Sequence, residues 1–276
     1  MFTPLTAILA ASAYTVAMIL LIIRLVRRTA SPLAADRMRG TALGIGLSGS
    51  LLHALSLYAL IMRPDGLDLG LLNIVSLVGW VVSTVILVSA LRQRVLNLAI
   101  PLLPIGAMSS LAGVIASQDM PTLVDQPSGM LVAHILLSIA SYSLLSIAAV
   151  LAIVLSFQES RLRKRHPGGV LRILPPLEIT ERLLFQLIGL GFAGLTLALF
   201  SGFFFVENLF AQHLVHKTIL SLLAWILFGI LIWGRVQFGW RGRIAIRWTL
   251  IAFVLLALAY FGSRIVLELI LDQRWG

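Results

Sequence analysis

Eight runs of mostly apolar residues, each close to the length of a bilayer crossing, dictate the solvent of this chain. They cover 4–26, 41–62, 71–91, 95–116, 130–157, 183–206, 217–236 and 246–270 of its 276 residues. In a helix, about 20 apolar residues at 1.5 Å rise each cross a hydrocarbon core roughly 30 Å thick. Lipid supplies no hydrogen-bond partner, so such a segment must satisfy its backbone internally, as a helix does. Charged residues make up only 12% of the chain, against about 25% in soluble domains. The expected fold is therefore all-α: a polytopic membrane helix bundle of about eight transmembrane helices. We expect one membrane domain over 1–276, without a separate soluble domain or internal repeat. The first run follows no basic region and precedes no small-residue cleavage site, so it reads as a retained span rather than a signal peptide. Only Arg92, Gln93 and Arg94 separate the third and fourth runs, which predicts a tight helical hairpin. Pro101 and Pro104 are expected to kink the fourth span or delay its start.

The basic residues orient the bundle. Arg24, Arg27, Arg28, Arg37 and Arg39 follow span 1, and Arg92 and Arg94 follow span 3. Arg161, Arg163, Lys164, Arg165, Arg172 and Arg182 lie between spans 5 and 6, and Arg235, Arg241, Arg243 and Arg247 between spans 7 and 8. All of these loops fall on one side. The excess of Lys and Arg marks that side as cytoplasmic, which puts both termini outside, in the periplasm of a Gram-negative cell. The net charge of +10 is thus accounted for by topology, and nucleic acid is not expected as a partner. There is no cysteine, which excludes disulfides, thiolate metal sites and covalent haem attachment through a C-x-x-C-H motif within this chain. The inside loop 158–182 reads as a solvated connector with a short interfacial helix, with His166 at its surface.

Ionisable side chains inside spans are costly and point to function. His53 lies about twelve residues into span 2, or about 18 Å from its inner end. It is either a neutral imidazole bonded to a neighbour, such as Ser56 or Ser48, or a ligand or proton-handling group. His134 lies about one turn into span 5 from the outer side. Ser138, Ser141 and Tyr142 follow it at helical spacing, so polar contact between helices is the alternative to a ligand role. His213 and His216 precede span 7 at i, i+3 spacing, either in a wet loop or as ligands. Imidazole is a common ligand of haem iron. The expected depths pair His134 with His216 or His213 near the outer surface and leave His53 as a separate, deeper site. Arg264 and Glu268 form an i, i+4 pair on span 8; Arg264 could alternatively meet a carboxylate of a ligand. Phe203, Phe204, Phe205 and Phe210 read as an interfacial belt or as a stacking platform. No phosphate-binding loop, nucleophile elbow, metalloprotease motif or pair of catalytic carboxylates is present.

Several segments carry a family resemblance. They are SLLHALSLYALI at 50–61, LDLGLLNIVSLVGW at 67–80, span 5, GWRGR at 239–243 and ALAYFGSRIVLELI at 257–270. Their succession resembles the cytochrome c assembly protein superfamily, of the CcsA, CcmC and HemX type, and within it a small bacterial inner-membrane branch. The resemblance covers nearly the whole chain. It implies non-covalent binding of haem b inside the membrane and at its outer face, with delivery of haem for cytochrome c assembly in larger members. His134 matches the outer-face ligand of the family, and His53 a span-2 histidine of the branch. The tryptophan-rich W-x-W-D loop of the family is absent from 201–217, no histidine occurs in 263–276, and Gly234 and Arg235 stand where larger members carry a span-7 histidine.

The expected function is haem handling rather than catalysis, in the bacterial inner membrane, linked to cytochrome c biogenesis or haem homeostasis. Implied partners are lipid, haem and other cytochrome c biogenesis or haem-biosynthesis proteins. The alternatives are a membrane transporter or transport-accessory subunit, and a membrane regulator that docks a haem-biosynthesis enzyme on the basic loops.

Overall fold

The computed structural model describes residues 2–27, 32–64, 66–92, 95–116, 123–124, 128–163, 174–205 and 212–262. Eight α-helices carry the chain: α1 (Phe2–Arg27), α2 (Pro32–Ile61), α3 (Leu71–Arg92), α4 (Ala99–Ala116), α5 (Gly129–Arg163), α6 (Leu177–Phe205), α7 (Gln212–Phe238) and α8 (Gly242–Ala257). Each contains a window long and apolar enough to cross a membrane. The protein is a multi-pass helical membrane protein, as the apolar runs predict.

The helices divide into two units, one built from 1–126 with 168–175 and the other from 127–167 with 176–276. In the first unit α1, α2, α3 and α4 pack antiparallel to their neighbours. Ser56 Oγ donates to the Thr3 carbonyl at one end of the α1–α2 pair. Near the other end, Arg24 Nε donates to the Ala35 carbonyl at 3.2 Å. Arg39 on α2 reaches the Ala90 and Leu91 carbonyls at 3.3 and 3.4 Å. The last carbonyls of a helix lack intrahelical donors, and a cationic side chain is a suitable cap for them. A short 3₁₀ turn over Leu96–Leu98 precedes α4, so the start of that helix is delayed as expected. Pro101 falls in its first turn, where no backbone donor is required. Pro104 lies inside the helix.

One feature of this unit has no counterpart in the sequence expectations. The strands β1 (Met62–Arg63), β2 (Gly66–Asp68) and β3 (Leu123–Val124) form a small antiparallel patch in the order β1-β2-β3. Met62 pairs with Leu67, and Leu67 with Val124. The patch caps the end where α2 and α4 finish and α3 begins. Two- and three-residue strands have too few positions to show alternation.

The second unit is again antiparallel. α6 lies along α5, and α7 along α6, where the Trp225 indole donates to Thr196 Oγ1 at 2.9 Å and stacks on Phe192. α8 returns along α5, with Tyr142 against Phe253 and Tyr260. It continues into a π-helical turn over Leu258–Gly262. At the α7–α8 turn the Trp240 ring lies on Gly234, where any Cβ would overlap it. The Arg235 guanidinium bonds Glu181 of α6 at 2.9 Å and the Trp240 carbonyl at 3.1 Å, and it lies over the Phe185 ring. One side chain thereby ties α6, α7 and the turn together.

Candidate functional site

His134 is the sixth residue of α5, about 8 Å along the helix from its first residue. Its Nδ1 lies 2.8 Å from Ser201 Oγ on α6. Ser201 Oγ donates its own proton to the Ala198 carbonyl at 2.8 Å. A serine hydroxyl has one proton to give, so the imidazole is the donor in this pair: Nδ1 carries hydrogen and Ser201 accepts it. Nε2 of the neutral ring therefore holds the lone pair, and it has no hydrogen-bond partner among the described residues. Fixing the tautomer through the second nitrogen is the usual way a protein prepares a histidine to bind a metal.

Gly202 completes the seat. A Cβ there would stand 3.2 Å from His134 Cε1, so the ring lies directly against the α6 backbone. Ser141 is spent in packing, because it donates to the Leu137 carbonyl and meets Gly194 closely. Tyr142 takes part in the aromatic contacts with α8. Neither Ser201 nor Gly202 was singled out by sequence reasoning, since a donor–acceptor partner 67 residues away leaves no local pattern.

His53 has a different environment. It is 1% exposed, with Nε2 2.9 Å from Ser76 Oγ on α3. The edge of Tyr14 on α1 packs against it, with centroids 6.0 Å apart. Nδ1 is buried and has no hydrogen-bond partner among the described residues. The partner is thus a serine of another helix, and neither Ser48 nor Ser56: those hydroxyls donate to the Gly44 and Thr3 carbonyls. His53 and His134 belong to different units.

His213 and His216 fall in the first turns of α7, so the helical spacing assumed for them is present. Their side chains lie outside the described ones, as do those of Phe203, Phe204 and Phe205. Arg264, Glu268, His166 and Phe210 lie wholly outside the described residues. Among the described residues no group of three His, Cys, Asp or Glu side chains is arranged to hold a metal ion.

Residues 44–271 match the Cytochrome C assembly protein family. The chain belongs to the cytochrome c assembly protein family. It is 36% identical over 274 residues to Inner membrane protein YpjD of Escherichia coli strain K12, covering 97% of this chain and 99% of that protein. It is 34% identical over 192 residues to a protein of Azospirillum brasilense described as an uncharacterized 28.8 kDa protein in the nifR3-like 5'region, covering 66% of this chain and 69% of that one. No solved structure matches. The family extends over both four-helix units, and so over both His53 and His134.

Proposed function

We propose that this member of the cytochrome c assembly family binds and passes on haem in the bacterial inner membrane, without covalent chemistry on the porphyrin. The observation that carries this reading is the prepared Nε2 of His134. Its ring is seated on Gly202, its tautomer is set by Ser201, and among the described residues no side chain is bonded to the free nitrogen. A half-buried imidazole near one end of α5, bonded through Nδ1 to Ser201 and lying against Gly202, would hold the iron of a haem, and the porphyrin would supply most of the remaining ligands. His213 or His216 is proposed as the partner ligand, and Arg264 as the contact for a propionate, which its planar fork suits. The name of the E. coli relative supports the inner membrane as the location.

No tryptophan occurs in 201–217, where the family resemblance places a haem-presenting loop, so the proposal is haem handling and delivery rather than synthetase chemistry by this chain. The test is the absorption spectrum of the purified protein, before and after dithionite. Haem at near-equal stoichiometry, with a Soret band lost in His134→Ala, is the expected result. An unchanged spectrum in that variant would remove His134 as ligand. Absence of haem after supplementation, together with solute flux into liposomes, would replace haem handling with transport.

A further inference from the structure

The core of the α1–α4 unit contains more buried polar chemistry than packing requires. Tyr14 and Ser83 are fully buried, His53 is 1% exposed and Asn73 2%. Among the described residues, four of their polar atoms have no hydrogen-bond partner: Tyr14 Oη, Ser83 Oγ, His53 Nδ1 and Asn73 Oδ1. Each such atom is costly in an apolar interior, because it has given up its bonds to water without replacement. Native interiors therefore leave few of them, and a cluster calls for a ligand, commonly water.

These atoms are in order along the helices. Asn73 opens the series beside the strand patch, where its amide donates to the Asp68 carbonyl. Ser76 follows three residues on, hence on the same face of α3, and bonds His53. Tyr14 packs edge-on against His53, and its hydroxyl faces Ser50 and Ser83 without hydrogen-bond geometry to either. Ser50 cannot fill that role fully, because it is already bonded to Thr84 Oγ1, whose own proton goes to the Trp80 carbonyl. Ser83 and the Tyr14 ring edge both lie against Gly106 of α4.

The series then stops. One helical turn further from the strand patch, the core residues are Ala17 and Leu21 on α1, Leu43 on α2, Leu87 on α3, and Leu102 and Leu103 on α4, all buried. The polar seam thus runs from the capped end to the middle of the unit and ends on an apolar floor. No ionisable group of α3 or α4 borders it. Tyr14 is the titratable neighbour from α1, and the Arg63–Asp68 ion pair stands at the capped end.

We propose that the α1–α4 unit holds a buried water site lined by Tyr14, Ser83 and His53, reached past Asn73 and Ser76 from the strand-capped end, through which His53 exchanges its ring proton. In the exchange the Nδ1–H proton passes to a water oxygen and another proton of that water returns to Nδ1, so one N–H and one O–H bond are broken and remade and both partners end neutral. When Nε2–H donates to Ser76, Nδ1 offers a lone pair. When the Ser76 hydroxyl donates to Nε2, Nδ1 offers hydrogen. Both tautomers need a partner at Nδ1, and water serves either. The leucine floor makes this a one-sided inlet, distinct from the proposed haem ligand on α5.

Water-edited nitrogen NMR of the full chain, labelled at histidine and embedded in lipid nanodiscs, tests this directly. The His53 signal is assigned by its loss in His53→Gln. Magnetisation is expected to pass from water to His53 Nδ1. The transfer should fall by about half in Ser83→Ala and in Tyr14→Phe, since a buried water needs about two to four polar partners. Ser83→Ala removes a single oxygen and keeps the packing, so it remains informative if Tyr14→Phe fails to fold. A His53 signal that receives no transfer while the half-buried His134 does would overturn the proposal. So would transfer indifferent to both substitutions. Neither outcome bears on haem binding at His134.

Discussion

At His134 a single hydroxyl decides which ring nitrogen keeps the proton. Replacing Ser201 by alanine frees the ring to change tautomer and removes the contact that holds its plane. Partners of this kind typically contribute about 10-fold in metal affinity, so Ser201→Ala should weaken haem binding about 10-fold while His134→Ala abolishes it, as read by haem titration. Gly202 tests the seat rather than the ligand. A valine there must displace the imidazole, 3.2 Å from the first added carbon. Gly202→Val is expected to lose the Soret band with the same helical content by circular dichroism; retention of full haem binding would show that the ring does not need this seat. The two histidines were legible in the sequence because imidazoles in apolar runs stand out by cost alone. Their partners were not. Ser76 and Ser201 are unremarkable serines among many, and only the docking of α3 and α6 distinguishes them.

Helices were legible wherever length and apolarity coincide, but their ends were not. α5 runs over 35 residues, about 52 Å at helical rise, and so projects well past the roughly 30 Å hydrocarbon core. Its charged last turns continue the spanning helix without a break, where the sequence suggested a connector with a separate short interfacial helix. A periodic apolar run reports the part of a helix in lipid; the remainder depends on propensity and partners, which hydropathy does not register. The Glu181–Arg235 pair shows the same blindness. Sequence reading noted Arg235 as a topogenic charge and as a departure from a family histidine. In the structure it is the tie between α6, α7 and the Trp240 turn, with Glu181 7% exposed. Removing one partner of a buried pair strands the other, at a typical cost of about 3 kcal/mol. Arg235→Ala should lower the thermal midpoint of the detergent-solubilised protein markedly, and Glu181→Gln, which keeps an acceptor, should do so less. Equal and negligible effects would mean that water already satisfies both groups.

For the whole molecule, the charge pattern of the loops makes one prediction that no contact can make. Basic residues between the spans gather on one side, so a phosphatase fused after Gly276 should be active outside the cytoplasm and a cytoplasmic fluorescent reporter should be dark there. The reverse pair of signals would invert the proposed orientation, and with it the face at which His134 would meet haem. The arginines behind that prediction have a second occupation. Arg24 holds a carbonyl of α2, and Arg39 closes the last carbonyls of α3. Topogenic signals are often treated as portable, free to be moved or reversed by a protein engineer. Here two of them are also latches between helices. A redesign that carried these charges to the opposite loops would have to supply a new tie between α1 and α2 and a new closure for α3 before the inverted chain could fold.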